Sequence, residues 1–176
     1  MSRGCTQSCS HCGVPRKEGK IKGVAEVKHL IEQNPNNKKG KFLAHDNDAL
    51  NADNWGSNLE YLVKHDIKIC YSQGINARLL NKRVATDIAK TKYRDDSFKR
   101  PMLHTAFDDI RDHDIFFKGI GHLLEAGIKP QNIMVYMLCN YDETKSGREQ
   151  GGDEIPDDVW YRFNEMRKMK LLPYPM

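Results

Sequence analysis

The sequence has no apolar run approaching the roughly 18 residues that a membrane-spanning helix needs, and no secretory leader is legible ahead of its first cysteines. It also lacks a strong charge of either sign. A formal net charge of +4 spread over 176 residues permits contact with nucleic acid without arguing for it. Its two basic runs, "RKEGKIKG" and "RKMKLLPYP", have no aromatic residue between their basic ones and read as solvated faces. Nor is there an even set of cysteines for a disulfide framework. There are five, and three of them crowd together as Cys5, Cys9 and Cys12 in "SRGCTQSCSHCGVP". Without an export signal, that pattern reads as metal binding in a reducing compartment, the cytoplasm. With 39% hydrophobic and 30% charged residues, the chain has the composition of one ordinary globular domain.

What is present alternates between two periods. "GKFLAHDND", "IKICYSQG", "PMLHTAFDD", "NIMVYMLCN" and "LLPYP" read as five strands following the cysteine loop. Between them lie helical stripes: Val24, Val27, Leu30 and Ile31; Trp55, Leu59, Leu62 and Val63; Leu80, Val84 and Ile88; and "DIFFKGIGHLLEAG", with Asp114 as N-cap and Gly127 as stop. A last helix places Trp160, Phe163 and Met166 inward. Alternation of this kind predicts an α/β fold with a parallel sheet and helices packed outside it. The loops after the strands are polar, whereas opposite joints such as "NPNNKKGK" are plain connectors. In a βα barrel the polar loops gather at one mouth, where chemistry sits.

The cysteines suit zinc or an iron–sulfur cluster. A structural zinc site takes four ligands, and Cys70 and Cys139 stand alone in or beside strands. His11 directly precedes Cys12, and adjacent residues rarely chelate one tetrahedral ion. A 4Fe–4S cluster on three cysteines leaves one iron open to a further ligand. Four acids, Asp46, Asp48, Asp108 and Asp109, with Asn47, Gln73, Arg78 and Arg111, lie just past strand ends, where Asp and Asn also serve plainly as turns and caps.

C-x-x-x-C-x-x-C with a ring beside its last cysteine, here His11, resembles the signature of radical S-adenosylmethionine (radical SAM) enzymes. "FLAHDNDALN", "SQGINARLL", "AFDDIR" and "GIKPQNIMVYMLCN" resemble, in order, successive barrel segments of uncharacterised proteins near its cobalamin-type branch, over nearly the whole chain. The resemblance implies a partial, open TIM-type barrel over residues 1–176, lacking the first strand and any accessory substrate domain. It implies a 4Fe–4S cluster on Cys5, Cys9 and Cys12, and S-adenosylmethionine chelated at the open iron. The segment Asp46, Asn47 and Asp48 stands where the family receives the methionine amino group, although the usual Gly-Glu form is absent. Arg78, with Gln73 beside it, or Arg111 would meet the methionine carboxylate. Asp108 and Asp109 would bind ribose hydroxyls, and Cys139 and Asn140 would lie along the adenine, where a small buried residue is the plainer role of Cys139. Also implied are an electron donor such as flavodoxin or ferredoxin, a small-molecule, peptide or RNA substrate, and a partner chain or further segment over the open edge. Two alternatives remain: a non-catalytic iron–sulfur or zinc module, and a nucleic-acid-binding protein.

Overall fold

The computed structural model describes residues 1–34, 36, 40–139 and 157–176. The chain opens with β1 (Ser2–Arg3), the short helix α1 (Val14–Glu18), β2 (Lys22–Gly23) and α2 (Val27–Glu32). Then come β3 (Lys41–Ala44), α3 (Trp55–Lys64), β4 (Lys68–Tyr71), α4 (Lys82–Ala89) and β5 (Lys92–Tyr93). The second half holds β6 (Leu103–Ala106), α5 (His113–Glu125), β7 (Ile133–Met137), α6 (Asp157–Lys168) and β8 (Leu172–Pro175). All five strands expected from the sequence are present among these. Half of the joint "NPNNKKGK" and the whole loop from Asn140 to Glu154 fall outside the described residues.

Among the described residues, every pairing apart from the antiparallel pair β1–β2 is parallel. One sheet runs β3-β4-β5 and another β6-β7-β8. They meet where Ile75, past the end of β4, bridges Thr105 in parallel. The Ile75 N–H donates to the His104 carbonyl at 2.8 Å, and the Thr105 hydroxyl donates to the Ile75 carbonyl at 2.8 Å. The described strands form no closed barrel.

Alternation along the strands sorts the two faces of the sheets. Ile69 and Tyr71, Leu103, and Ile133, Val135 and Met137 share one core with Leu62, Ile88, Phe116, Ile120, Leu123 and Met166 from the helices. The other face carries His104 stacked on Tyr136, ring centroids 5.5 Å apart, with Tyr174 edge-on to Tyr136. Helix α5 ends where expected, at Gly127, which takes a left-handed φ of 90°. Its N-terminus is offset from the expectation, with Asp112 in the cap position and Asp114 in the first turn.

Helix α6 differs from the sequence expectation in its register. Val159, Arg162 and Met166 are its buried positions, while Trp160 is about half exposed. The 160/163/166 stripe and the 159/162/166 stripe differ by a small rotation of the helix. The choice falls to the second because Arg162 finds carbonyl partners inside.

The two outer edges differ chemically. The Met176 N–H bonds to the Met137 carbonyl, so even-numbered residues of β8 turn toward β7 and odd-numbered ones turn away. The outward positions are Pro173 and Pro175, which have no N–H to offer another strand. At the opposite edge, β3 borders a cleft of about 410 Å³ lined in part by Met1, Arg3, Leu30, Leu43 and His45.

Candidate functional site

The cysteine loop is built onto the ends of the parallel strands. Gly4, immediately before Cys5, holds φ at 88°, and a Cβ there would lie 2.4 Å from the Lys20 carbonyl oxygen, so only glycine fits. Two acids past β3 then fasten the segment. Asp46 accepts from the Ser2 backbone N–H and, at 2.6 Å, from the Ser2 hydroxyl, with the Met1 nitrogen 3.2 Å away. Asp48 accepts from the Thr6 N–H at 3.0 Å and from the Thr6 hydroxyl at 2.7 Å. Both carboxylates are buried, and both are engaged with the segment that carries the cysteines. Asn47, between them, donates to Glu18, which also accepts from the Gly4 N–H.

Each of the three thiols accepts an N–H bond. The Gln7 N–H points to the Cys5 sulfur at 3.4 Å and the Val14 N–H to the Cys12 sulfur at 3.5 Å. The Arg78 guanidinium reaches the Cys9 sulfur at 3.9 Å. The other two cysteines lie in different environments. Cys139 donates to the Met137 carbonyl, and buried Cys70 is pushed up to about 11, first by burial and then by Asp96 and Asp95. Burial also pushes the Cys5 thiol up, aided by the negative charge of Asp48. All five cysteines are free thiols. Among the described residues, no three His, Cys, Asp or Glu side chains are already gathered as a metal-holding group.

Around this loop stand the loops that follow β4 and β6, together with Leu138 just past β7. Arg78 lies in a 3-10 turn (Ala77–Leu79) capped by the Asn76 side chain, and it bonds Asp112 at 2.9 Å. Burial works against the Arg78 charge, but the bonds to Cys9 and Asp112 outweigh it and hold the guanidinium firmly protonated. Asp108 accepts the Leu138 N–H at 2.8 Å through one oxygen, and its other oxygen lies 3.7 Å from the His11 imidazole. Asp109 caps the next turn and pairs locally with Arg111, whose side-chain bond is the main reason its carboxyl titrates below the usual range. Gln73 is exposed in the turn after β4. The expected residues thus gather at the C-terminal ends of the parallel strands: Asp48 and Arg78 touch the cysteine loop directly, Asp108 stands beside it, and Asp109 and Arg111 hold each other.

Three residues here were not singled out from the sequence. Thr6 and Asp112 contribute through contacts that no local pattern announces. Arg162 is different, since an arginine at an inward helical position is itself a signal. It is buried and donates to the Phe107 carbonyl at 2.7 Å and the Leu138 carbonyl at 3.1 Å, tying α6 to the ends of β6 and β7 on either side of Asp108.

Comparison with protein-family models, with curated proteins and with solved structures found no match.

Proposed function

We propose that this chain is a radical SAM enzyme core, an open sector of a βα barrel that binds a 4Fe–4S cluster through Cys5, Cys9 and Cys12. The observation that carries the reading is the cysteine loop itself. Three thiols on one short loop each receive an N–H bond, and the loop is anchored at the strand ends among acids and arginines. N–H bonds to sulfur stabilise ligated thiolates and tune a cluster, so the donor set fits the group. Helices over one sheet face, and strands that neighbour one another in chain order, support a barrel sector.

When bound, such a cluster supplies an electron that cleaves S-adenosylmethionine, giving a 5′-deoxyadenosyl radical that takes hydrogen from the substrate. The chain's own residues hold and orient. Asp46 and Asp48 fix the cysteine loop, and the Asp46–Asp48 segment receives the methionine amino group. An arginine of the same mouth, Arg78 or Arg111, meets the carboxylate, with Gln73 at the rim. Asp108 and Asp109 take the ribose hydroxyls. The electron comes from a small redox protein such as flavodoxin or ferredoxin. This reading puts the chain in the cytoplasm, a reducing compartment that suits its odd, crowded set of cysteines. No described helix is long and apolar enough to cross a membrane.

The test is anaerobic reconstitution with iron and sulfide, reduction, and incubation with S-adenosylmethionine. The expected product is 5′-deoxyadenosine. A protein that binds four irons yet yields none is a non-catalytic iron–sulfur module, and one that takes zinc alone is a zinc module.

A further inference from the structure

We propose that Arg78 is a positioning residue that delivers a fixed positive charge to the Cys9 sulfur, held in place by Asp112 and Asn76. The inference rests on the cluster reading above and assigns this side chain's place within it.

Every nitrogen of the guanidinium is engaged. Nε donates to the Asn76 side-chain oxygen at 3.1 Å, Nη1 to Asp112 at 2.9 Å and Nη2 to the Cys9 sulfur at 3.9 Å. The backbone beneath it is fixed as well, because the same Asn76 oxygen accepts the Arg78 N–H at 3.2 Å. The turn sits tightly on α5, where a Cβ at Gly119 would lie 2.1 Å from the Ala77 carbonyl oxygen. A planar fork with all three arms occupied has little rotational freedom left to lose, which distinguishes it from a mobile surface arginine. Arg78 and Asp112 are each about one-third exposed or less, so solvent screens the charge only in part.

The three sulfurs are therefore inequivalent. Cys5 and Cys12 accept from neutral backbone N–H groups, and Cys9 accepts from a cation. Charge-assisted bonds are roughly twice as strong as neutral ones, and bonds to cluster sulfurs set the reduction potential. A cation beside Cys9 stabilises the reduced, more negative state and raises the potential. Asp112 offsets part of that charge while aiming it.

The experiment measures the midpoint potential of the reconstituted cluster by a redox titration followed by electron paramagnetic resonance. The parent is compared with Arg78→Gln, Arg78→Lys and Asp112→Asn, with iron content and melting temperature recorded for each. Arg78→Gln is expected to shift the oxidised-to-reduced ratio at fixed potential about tenfold toward oxidised, about 59 mV for one electron. Arg78→Lys should retain part of the parent value, and Asp112→Asn should move it the opposite way. Full iron content with parent potentials in Arg78→Gln and Asp112→Asn overturns the proposal while leaving the cluster reading intact. If Arg78→Gln fails to fold, Asp112→Asn decides alone, and an unchanged potential there overturns it. A parent that takes up no iron defeats the cluster reading and this one with it.

Discussion

Asp48 and Thr6 form a two-point clasp: one carboxylate oxygen of Asp48 accepts both the Thr6 backbone N–H and the Thr6 hydroxyl, at 3.0 and 2.7 Å. The same carboxylate accepts from Asn51. A buried acceptor that organises a loop from 42 residues away is a structural commitment as much as a binding one.

The first prediction concerns that clasp. From the sequence, Asp48 reads as a polar loop residue whose loss hardly affects the fold. Its burial reverses that expectation. Asp48→Ala leaves the Thr6 N–H and Asn51 without their acceptor and should cost on the order of 1–3 kcal/mol. Hydrogen exchange at Thr6 should accelerate, and iron uptake should fall. A double-mutant cycle with Thr6→Val measures the coupling; additive losses would refute the clasp.

The second concerns ligation. Replacing Cys5, Cys9 or Cys12 by Ala should abolish cluster binding in each case. Cys70→Ala and Cys139→Ala should keep it, because one thiol is buried with a raised proton affinity and the other is spent on a carbonyl. Iron and sulfide content after reconstitution reads the outcome. Loss of the cluster in either of the last two variants would remove the assignment.

The third uses two glycines of one helix as mutual controls. In α5, a Cβ at Gly119 meets the Ala77 carbonyl oxygen at 2.1 Å, whereas one at Gly121 has nothing within 4 Å. Gly121→Ala should stabilise by about 0.5–1 kcal/mol through helix propensity. Gly119→Ala must push the Arg78 turn away and should destabilise by about 1–3 kcal/mol. Equal effects in urea denaturation would show that the contact is relieved elsewhere.

Much of the fold was legible because burial imposes periods on the sequence. Strands such as Ile133–Met137 alternate cleanly between the helix-covered core and the opposite face. The two-residue strands β1, β2 and β5 were not legible, since nothing in so short a stretch carries a period and only their neighbours make them strands. Trp160 misled because a large apolar ring outweighs an arginine in any pattern. Inside, Arg162 prevails, since two backbone carbonyls await its guanidinium. In the site, residue types and their location past strand ends could be read. The pairings Asp48–Thr6 and Arg78–Cys9 could not, because they join segments 42 and 69 residues apart.

The fourth prediction is a pH dependence. His104 is buried, stacked on Tyr136, and 3.2 Å from the Tyr71 carbonyl through Nδ1. Burial lowers its proton affinity below the ordinary value, outweighing that hydrogen bond. The unfolded chain therefore takes up a proton near pH 6.5 while the folded chain still resists it. Stability from this group is present above about pH 6.5 and is lost as pH falls below it, until the folded form also protonates. Urea midpoints should drop between about pH 7.5 and 5.5 by more in the parent than in His104→Gln. Parallel profiles would mean that His104 does not contribute.

The last prediction concerns Arg162, which joins α6 to the two strand ends that bracket Asp108. Its guanidinium donates to the Phe107 and Leu138 carbonyls, pairs with Asp158, and lies 5.8 Å over the Phe107 ring. Asp108 in turn accepts the Leu138 N–H, so the same short segment is gripped from both sides. Arg162→Met keeps the apolar stem but leaves two carbonyls unpaired, and it should cost on the order of 3 kcal/mol. Arg162→Lys restores the charge, yet one ammonium cannot reproduce a fork spanning both carbonyls, so its recovery should be partial. The strands and the helix should then separate as Asp108 moves, loosening the His11 contact on the cysteine loop. Hydrogen exchange at Leu138 reads the first step, and reactivity of His11 toward diethyl pyrocarbonate reads the second. A variant within about 0.5 kcal/mol of the parent, with Leu138 still protected, would show that α6 is held by its apolar face alone.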